Sequence, residues 1–370
     1  MTEVEPPNNN RKYVEYRPDL EQPDRDEEQL IDSIIADLRG NNERAFKKYK
    51  KGIRDAHAKS HGILRGEMTV LPDLPEYLRQ GIFATPKTYT VIARLSTTSG
   101  ALRSDQVRGV RGLGLKVLEA GGDRLIDDDE TTQDFVFVTE PRFPFKDALE
   151  YSQSGMRSAK LLSRLPDLGM RALSLFLRGA SRVLRLFGGD LPFKYSLFAK
   201  PNTLTLGETF YTAAPLQYGK YVAKLSVAPL SESVTALTGK KVGRGRDAHT
   251  ESVVGFFKNN TAEYLVSAQL CTDTKTMPIE DATADWSTEE SPYRPVAKIT
   301  YGRQNAHSTR RRDWGDDELS FNSWRATTDH RPLGSINRLK KRVYDASSDF
   351  RHAKNNKPQI EPRVPADIPD

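Results

Sequence analysis

Residues 87–99, KTYTVIARLSTTS, put Tyr89, Val91, Ala93 and Leu95 on one parity and Thr88, Thr90, Arg94 and Ser96 on the other. Alternation with period two is the pattern of a strand that rests one face on a core. The runs GEMTVLPDL (66–74), RGLGLKVLEA (111–120) and TQDFVFVTE (132–140) repeat it, bounded by Gly, Pro and Asp. After a long break the pattern returns in residues 202–219, 220–231, 262–271 and 293–301. Two sets of about four strands, over about 63–140 and 200–302, predict a closed antiparallel β-barrel of about eight strands. The break, about 146–190, has a helical rhythm in SAKLLSRLPDLGMRALSLFLRGASRVLRLF (158–187). Its leucines could line an apolar entrance, and core packing explains them equally well.

Helices flank the barrel, so the fold class is α+β. EQLIDSIIADLRGNNERAFKKY (28–49) predicts a helix broken near Gly40, and SINRLKKRVYDASSDFRHAKN (335–355) a C-terminal helix, about 335–350. Residues 1–27 are polar and proline-rich and read as an arm. Residues 28–350 form a single domain, and 351–370 a tail that dresses the surface.

Composition removes several classes of function. No run of 18 apolar residues occurs, so no membrane span is expected. The N-terminus lacks the apolar core of a signal peptide, and the cytoplasm is the parsimonious compartment. Cys271 is the single cysteine, which excludes an internal disulfide framework and multi-cysteine metal sites. The net charge of +6 is scattered rather than gathered in a stripe, so no nucleic-acid partner is expected. There is no HExxH, P-loop or nucleophile elbow, and the glycines of GVRGLGLKV lie between strands. What remains is RDAHAKSHG (54–62), which holds two of six histidines, a few arginines, and the tyrosine of KKRVYDAS. On a helix, His57 and His61 would share a face, but the glycines that follow argue against one continuing there.

Four blocks, in order, resemble the haem catalase superfamily, in particular its smaller catalase-related peroxidases. Arg54–Lys59 is similar to the R-x-x-H-A-K segment of the distal histidine. Arg94-Leu95-Ser96-Thr97 matches R-F-S-T, Arg111–Lys116 matches R-G-x-x-x-K, and Lys340–Tyr344 aligns with the proximal R-x-x-x-Y. They cover about residues 50–350.

The resemblance implies a haem b enzyme that cleaves hydrogen peroxide or organic hydroperoxides through a ferryl intermediate, drawing on an unidentified reducing donor. It assigns His57 as distal general base, with a pKa near ~6.5 suited to moving a proton both ways. Ser96 would fix its tautomer, Arg54 and Arg94 would hold the haem propionates, and Tyr344 would ligate the iron. His61 has no family counterpart; it lines the pocket or packs beneath the barrel. Arg111 reads as structural. Two departures stand out. Lys340 occupies the place of the arginine that stabilises the tyrosinate, and gives charge without a bidentate fork. Thr132 falls opposite the distal asparagine, with Gln133 the nearest amide. Losing that donor weakens orientation of a second hydrogen peroxide and favours peroxidase over catalase. Disproportionation, isomerisation or dehydration of a fatty-acid hydroperoxide, and a non-catalytic haem- or lipid-binding barrel are the alternatives. Catalases are larger and form tetramers held by their arms, so a homo-oligomer, dimer or tetramer, is expected.

Overall fold

The computed structural model describes residues 13–126 and 130–370, so residues 1–12 of the arm lie outside it. Its strands are β1 (Ser60–Val70), β2 (Thr88–Thr97), β3 (Arg111–Val117), β4 (Gln133–Val138), β5 (Phe210–Tyr211), β6 (Leu216–Tyr218), β7 (Tyr221–Pro229), β8 (Ala262–Leu270) and β9 (Arg294–Tyr301). They form one antiparallel sheet in the order β5-β4-β3-β2-β1-β9-β8-β7-β6. Tyr211 pairs with Val138 of β4, and Phe210 pairs with Val227 of β7, which closes the ring. β5 and β6 both lie along β7 and act as one strand interrupted around Ala213, whose φ is 58°. The barrel therefore has eight staves, as the two sets of alternating runs predict.

The parity read in residues 87–99 decides what faces where. Tyr89, Val91, Ala93 and Leu95 enter the main core with Leu113, Leu115, Phe135 and Phe137 from the adjoining strands. Arg94, Ser96, Gly114 and Val136 have the other parity and face outward, where Phe321 and Tyr344 meet them. The site is thus built on the outside of the barrel wall, under covering segments.

One helix provides part of that cover, and a second packs behind it. α1 (Glu27–Tyr49) runs unbroken through Gly40, against the expectation of a break there. A glycine inside a helix costs only ~1 kcal/mol. Burying a side chain such as Ile31 or Ile34, which pack near Leu339, returns ~1.5–3 kcal/mol each. The helical insertion holds α2 (Met156–Arg164), α3 (Asp167–Leu186) and α4 (Phe193–Ala199), and α5 (Ala248–Asn259) precedes β8. The C-terminal helix, α6, spans Ser335–Asn355.

The ends of the chain are tied down more firmly than the sequence suggests. In the arm, the Val14 and Tyr16 amides donate to the Cys271 and Lys220 carbonyls at 2.9 and 2.8 Å. The tail does more than dress the surface. Glu361 reaches the fully buried Lys116, and Ile368 packs with Ile63 and Ile92. Lys116 also donates to Asp134 at 2.7 Å, a pairing that offsets the cost of burying an ammonium.

Candidate functional site

A cavity of ≈ 90 Å³ lies between the outer face of β2–β4 and helix α6, and His57, Ser96, Val136, Phe321, Tyr344 and Arg351 are among its lining residues. Arg54 and Arg94 line it too. Of the seven residues singled out in the sequence, five therefore converge on one space.

His57 lies in the loop before β1, with φ at 57°, a left-handed conformation that is uncommon for non-glycine residues. Three contacts hold it: its amide donates to Thr98 O at 3.3 Å, the Ala58 amide to Ser99 O at 3.0 Å, and Arg94 Nη1 to His57 O at 2.9 Å. The ring sits on Gly112, where a Cβ would come within 2.2 Å of Nδ1. Glycine at that point makes the seat for the imidazole.

The hydrogen bonds also choose its tautomer. Ser96 Oγ lies 3.0 Å from His57 Nδ1 and 3.4 Å from the Gly112 carbonyl. If the hydroxyl gives its proton to the carbonyl, it must accept one from Nδ1–H. Nε2 is then an unprotonated acceptor, and it has no hydrogen-bond partner among the described residues. Burial, reinforced by Arg94, Arg54 and Lys340, lowers the His57 pKa to about 3. The imidazole is neutral at every physiological pH, further from its usual range than the sequence implies.

Three guanidiniums gather around the segment 315–319. Arg94 donates through Nε and Nη2 to Asp316 Oδ1 at 3.2 and 2.9 Å, and Arg54 donates to the Gly315 and Leu319 carbonyls at 2.9 and 2.6 Å. Arg351 donates to the Asp316 and Asp317 carbonyls at 2.8 and 2.7 Å. Burial works against the charge of Asp316, but Arg94 and Arg54 outweigh it and hold its carboxyl below the usual range. Burial, then Arg94 and Arg351, push Arg54 well below its normal value. Asp316, Asp317 and Asp55 are the carboxylates that face the cluster. Arg351 was missed in the sequence, though it stands seven residues after Tyr344 and so on the same face of α6.

Tyr344 is half-buried at the cavity wall, and its phenol has no hydrogen bond among the described residues. Burial, then Asp55 and Tyr151, raise its pKa. Lys340, one turn earlier, borders a small neighbouring cavity that shares Val136 with the first. Its ammonium donates to Asn337 Oδ1 at 3.3 Å and stands 5.6 Å from the Phe143 ring centre. No carboxylate pairs with it among the described residues, and burial lowers its pKa to about 8.

Thr132 does not join the cavity. Its parity is that of Val136, but its hydroxyl donates to Glu361 at 2.7 Å, beyond the buried Lys116–Asp134 pair. Gln133 is no substitute, because its Oε1 accepts from the Thr327 amide at 2.9 Å and its Nε2 donates to Asp134 O at 3.0 Å. From β4, Val136 is the residue that reaches the cavity, and a signal for that register is absent from the alternation itself. His61 opens β1 rather than continuing a helix; it is buried, with Nε2 2.7 Å from Thr97 Oγ1 and its ring 5.0 Å from that of His249. It packs beneath the barrel, away from the cavity.

Buried neutral histidines make stability depend on pH. Against an ordinary value of 6.5, burial brings His57 and His330 to about 3 and His249 to about 2. Folded values below the unfolded one mean that this stability is whole above pH ~6.5 and is lost as pH falls toward ~3. Each such group contributes a slope of up to ~1.4 kcal/mol per pH unit in that window. Burial raises Asp134 to about 6, despite Lys116, and also raises Asp55, Glu140 and Asp345, carboxyls that give the opposite slope. The melting temperature is therefore expected to drop steadily from pH 7 to pH 5 in a calorimetric series; a flat profile would refute the account.

No protein-family model matches this chain, and no curated protein matches it. Solved structures do. A fungal catalase superposes with a TM-score of 0.58 at 16% identity, over 95% of this chain and 70% of that one. Catalase A from Saccharomyces cerevisiae gives 0.57 at 17%, over 95% and 72%, and a bacterial catalase 0.54 at 17%, over 97% and 68%. Identities this low establish architecture rather than chemistry, and what they establish is that this chain has the catalase fold.

Proposed function

We propose that the protein is a haem-dependent peroxidase that reduces organic hydroperoxides and hydrogen peroxide at the expense of a separate donor. The observation that carries the reading is the cavity itself, which brings an unencumbered imidazole, an unbonded phenol and three guanidiniums together. The residues fit haem. Leu113, Val136 and Phe321 offer apolar contact to a macrocycle, Tyr344 offers an oxygen ligand, and the arginines suit propionates. Arg351 Nε, buried and without a hydrogen-bond partner, is a donor waiting for such an anion.

Haem iron bound there supplies the redox chemistry. The chain supplies the proton handling. His57 Nε2 takes the peroxide proton and returns it to the departing oxygen, while Ser96 keeps Nδ1 protonated and the ring in place. A base with so low a pKa holds the proton weakly, which aids the second transfer. Arg54 and Arg94 stabilise anionic charge near the cavity and keep the imidazole neutral.

The choice of peroxidase over disproportionation rests on the lining. Among the described residues it includes no Asn or Gln, so no side-chain amide orients a second hydrogen peroxide. Titrating the purified protein with haem tests the reading. A saturable Soret band with ferric–tyrosinate character is expected, followed by donor-dependent consumption of cumene hydroperoxide. Absence of a Soret band would remove the cofactor and the function together. Rapid oxygen release from hydrogen peroxide without any donor would make the protein a catalase instead.

A further inference from the structure

The helical insertion turns its apolar side to solvent. On α3, Leu168, Leu175, Phe176, Val183 and Leu186 are exposed by 74, 64, 71, 55 and 83%. They fall at i, i+7, i+8, i+15 and i+18, a single helical stripe. The residues α3 buries against the protein are Met170, Ser174 and Ser181. Those serines seat the helix by hydrogen bonds, Ser174 Oγ to Phe198 O at 2.5 Å and Ser181 Oγ to Asp190 Oδ1 at 2.9 Å. The arrangement is the reverse of an ordinary surface helix. Core packing does not describe these exposed side chains; of the segment's leucines, Leu162 does wall a cavity beside the His57 site. Leu161 of α2, 63% exposed, and Phe187, 85% exposed, extend the same surface.

Charge says what covers it. Residues 156–187 contain seven Lys and Arg and one acid, Asp167. That acid is already paired with Arg103 at 3.0 Å. Arg171, Arg178 and Arg182 run along one flank of the exposed stripe, and Arg185 on the same flank is paired with Asp190 at 2.8 Å. A second copy of the same basic surface would be repelled, whereas an anionic surface would be attracted. An apolar stripe edged with arginines, on a helix of modest overall hydropathy, is the build of a helix that lies in a membrane interface. Among the described residues no helix is long and apolar enough to cross one.

We propose that the insertion seats the protein on anionic lipid bilayers, with the α3 stripe in the headgroup–acyl boundary and its arginines on lipid phosphates. Docking there has a consequence for substrate. Ala159, Leu162 and Met170, from α2 and α3, also wall a cavity of ≈ 270 Å³ that reaches Asp55 and Ala56, which line the His57 cavity as well. Hydroperoxides of membrane acyl chains are therefore the favoured substrate class, a clause that rests on the proposed peroxidase reading.

Vesicle co-sedimentation of the full chain tests the docking without any turnover. Binding is expected to phosphatidylcholine vesicles containing phosphatidylglycerol, and to weaken at least about tenfold in pure phosphatidylcholine or in high salt. The double variant Leu175→Glu, Phe176→Glu should lose binding by a similar factor while keeping its circular dichroism and melting temperature, since both side chains are exposed. Equal binding by variant and wild type, or none by either, overturns the proposal. So does light scattering that shows a wild-type dimer, a monomeric variant and no vesicle binding, which would make the stripe an interface between copies. For the substrate clause, the double variant should consume vesicle-borne acyl hydroperoxide about tenfold more slowly than wild type and hydrogen peroxide equally fast. Equal rates on both overturn the clause. Failure of wild type on both peroxides would count against the peroxidase reading alone, because the sedimentation result does not depend on it.

Discussion

His57→Asn is expected to slow peroxide cleavage by about 10²–10⁴-fold while leaving the haem spectrum and the melting temperature nearly unchanged. Asparagine is the informative replacement because His57 sits at φ 57°. Asparagine accepts the left-handed region, whereas alanine there adds ~1–2 kcal/mol of backbone strain and confuses stability with catalysis. The amide is polar, yet it cannot take a proton and return it. Stopped-flow mixing with cumene hydroperoxide measures the effect directly. Ser96→Ala should lower the same rate by a smaller factor, because Nδ1 loses the partner 3.0 Å away that fixes its tautomer. A His57→Asn protein of full activity would assign proton transfer elsewhere.

Much of this arrangement could be read from the chain, for reasons that differ by residue. The barrel was legible because its strands have one face on a core and one under cover, so period two survives in residues 87–99. The same parity put Arg94 and Ser96 together on the outward face, and the structure brings both to the cavity. Helix α1 was only partly legible, since tertiary burial of Ile31 and Ile34 overrides the local penalty at Gly40. Thr132 shows the limit of alternation. Parity gave its face, but how far along β4 the cavity begins depends on the tail, where Glu361 closes over Thr132 and Lys116. No local signal marks a contact between residues that far apart. Asp316, between Arg54 and Arg94, was hidden for the same reason.

Tyr344→Phe is expected to abolish the tyrosinate signature in the visible spectrum, weaken haem uptake by more than about 10²-fold, and take peroxide turnover with it. As an iron ligand, the phenol would give its oxygen at considerable cost. Burial, Asp55 and Tyr151 all resist ionisation, and no hydrogen bond compensates among the described residues. An iron ligand is the interaction that can offset this, since phenolate binding to ferric iron displaces the proton. Lys340 is the nearest test of how the charge is shared. Its ammonium, with Asn337 Oδ1 and the Phe143 ring as its contacts, is half-buried without a carboxylate, and loss of solvent brings its pKa to about 8. Lys340→Met should therefore stabilise the haem-free fold, because a partly desolvated, unpaired charge disappears. It should also weaken haem binding by about 10–10²-fold, because a phenolate on α6 loses the cation one helical turn before it. Opposite signs for stability and haem affinity, measured by melting and by Soret titration, are the result that a purely structural lysine would not give. If both fall together, Lys340 supports the fold and the tyrosinate draws its stabilisation from iron alone.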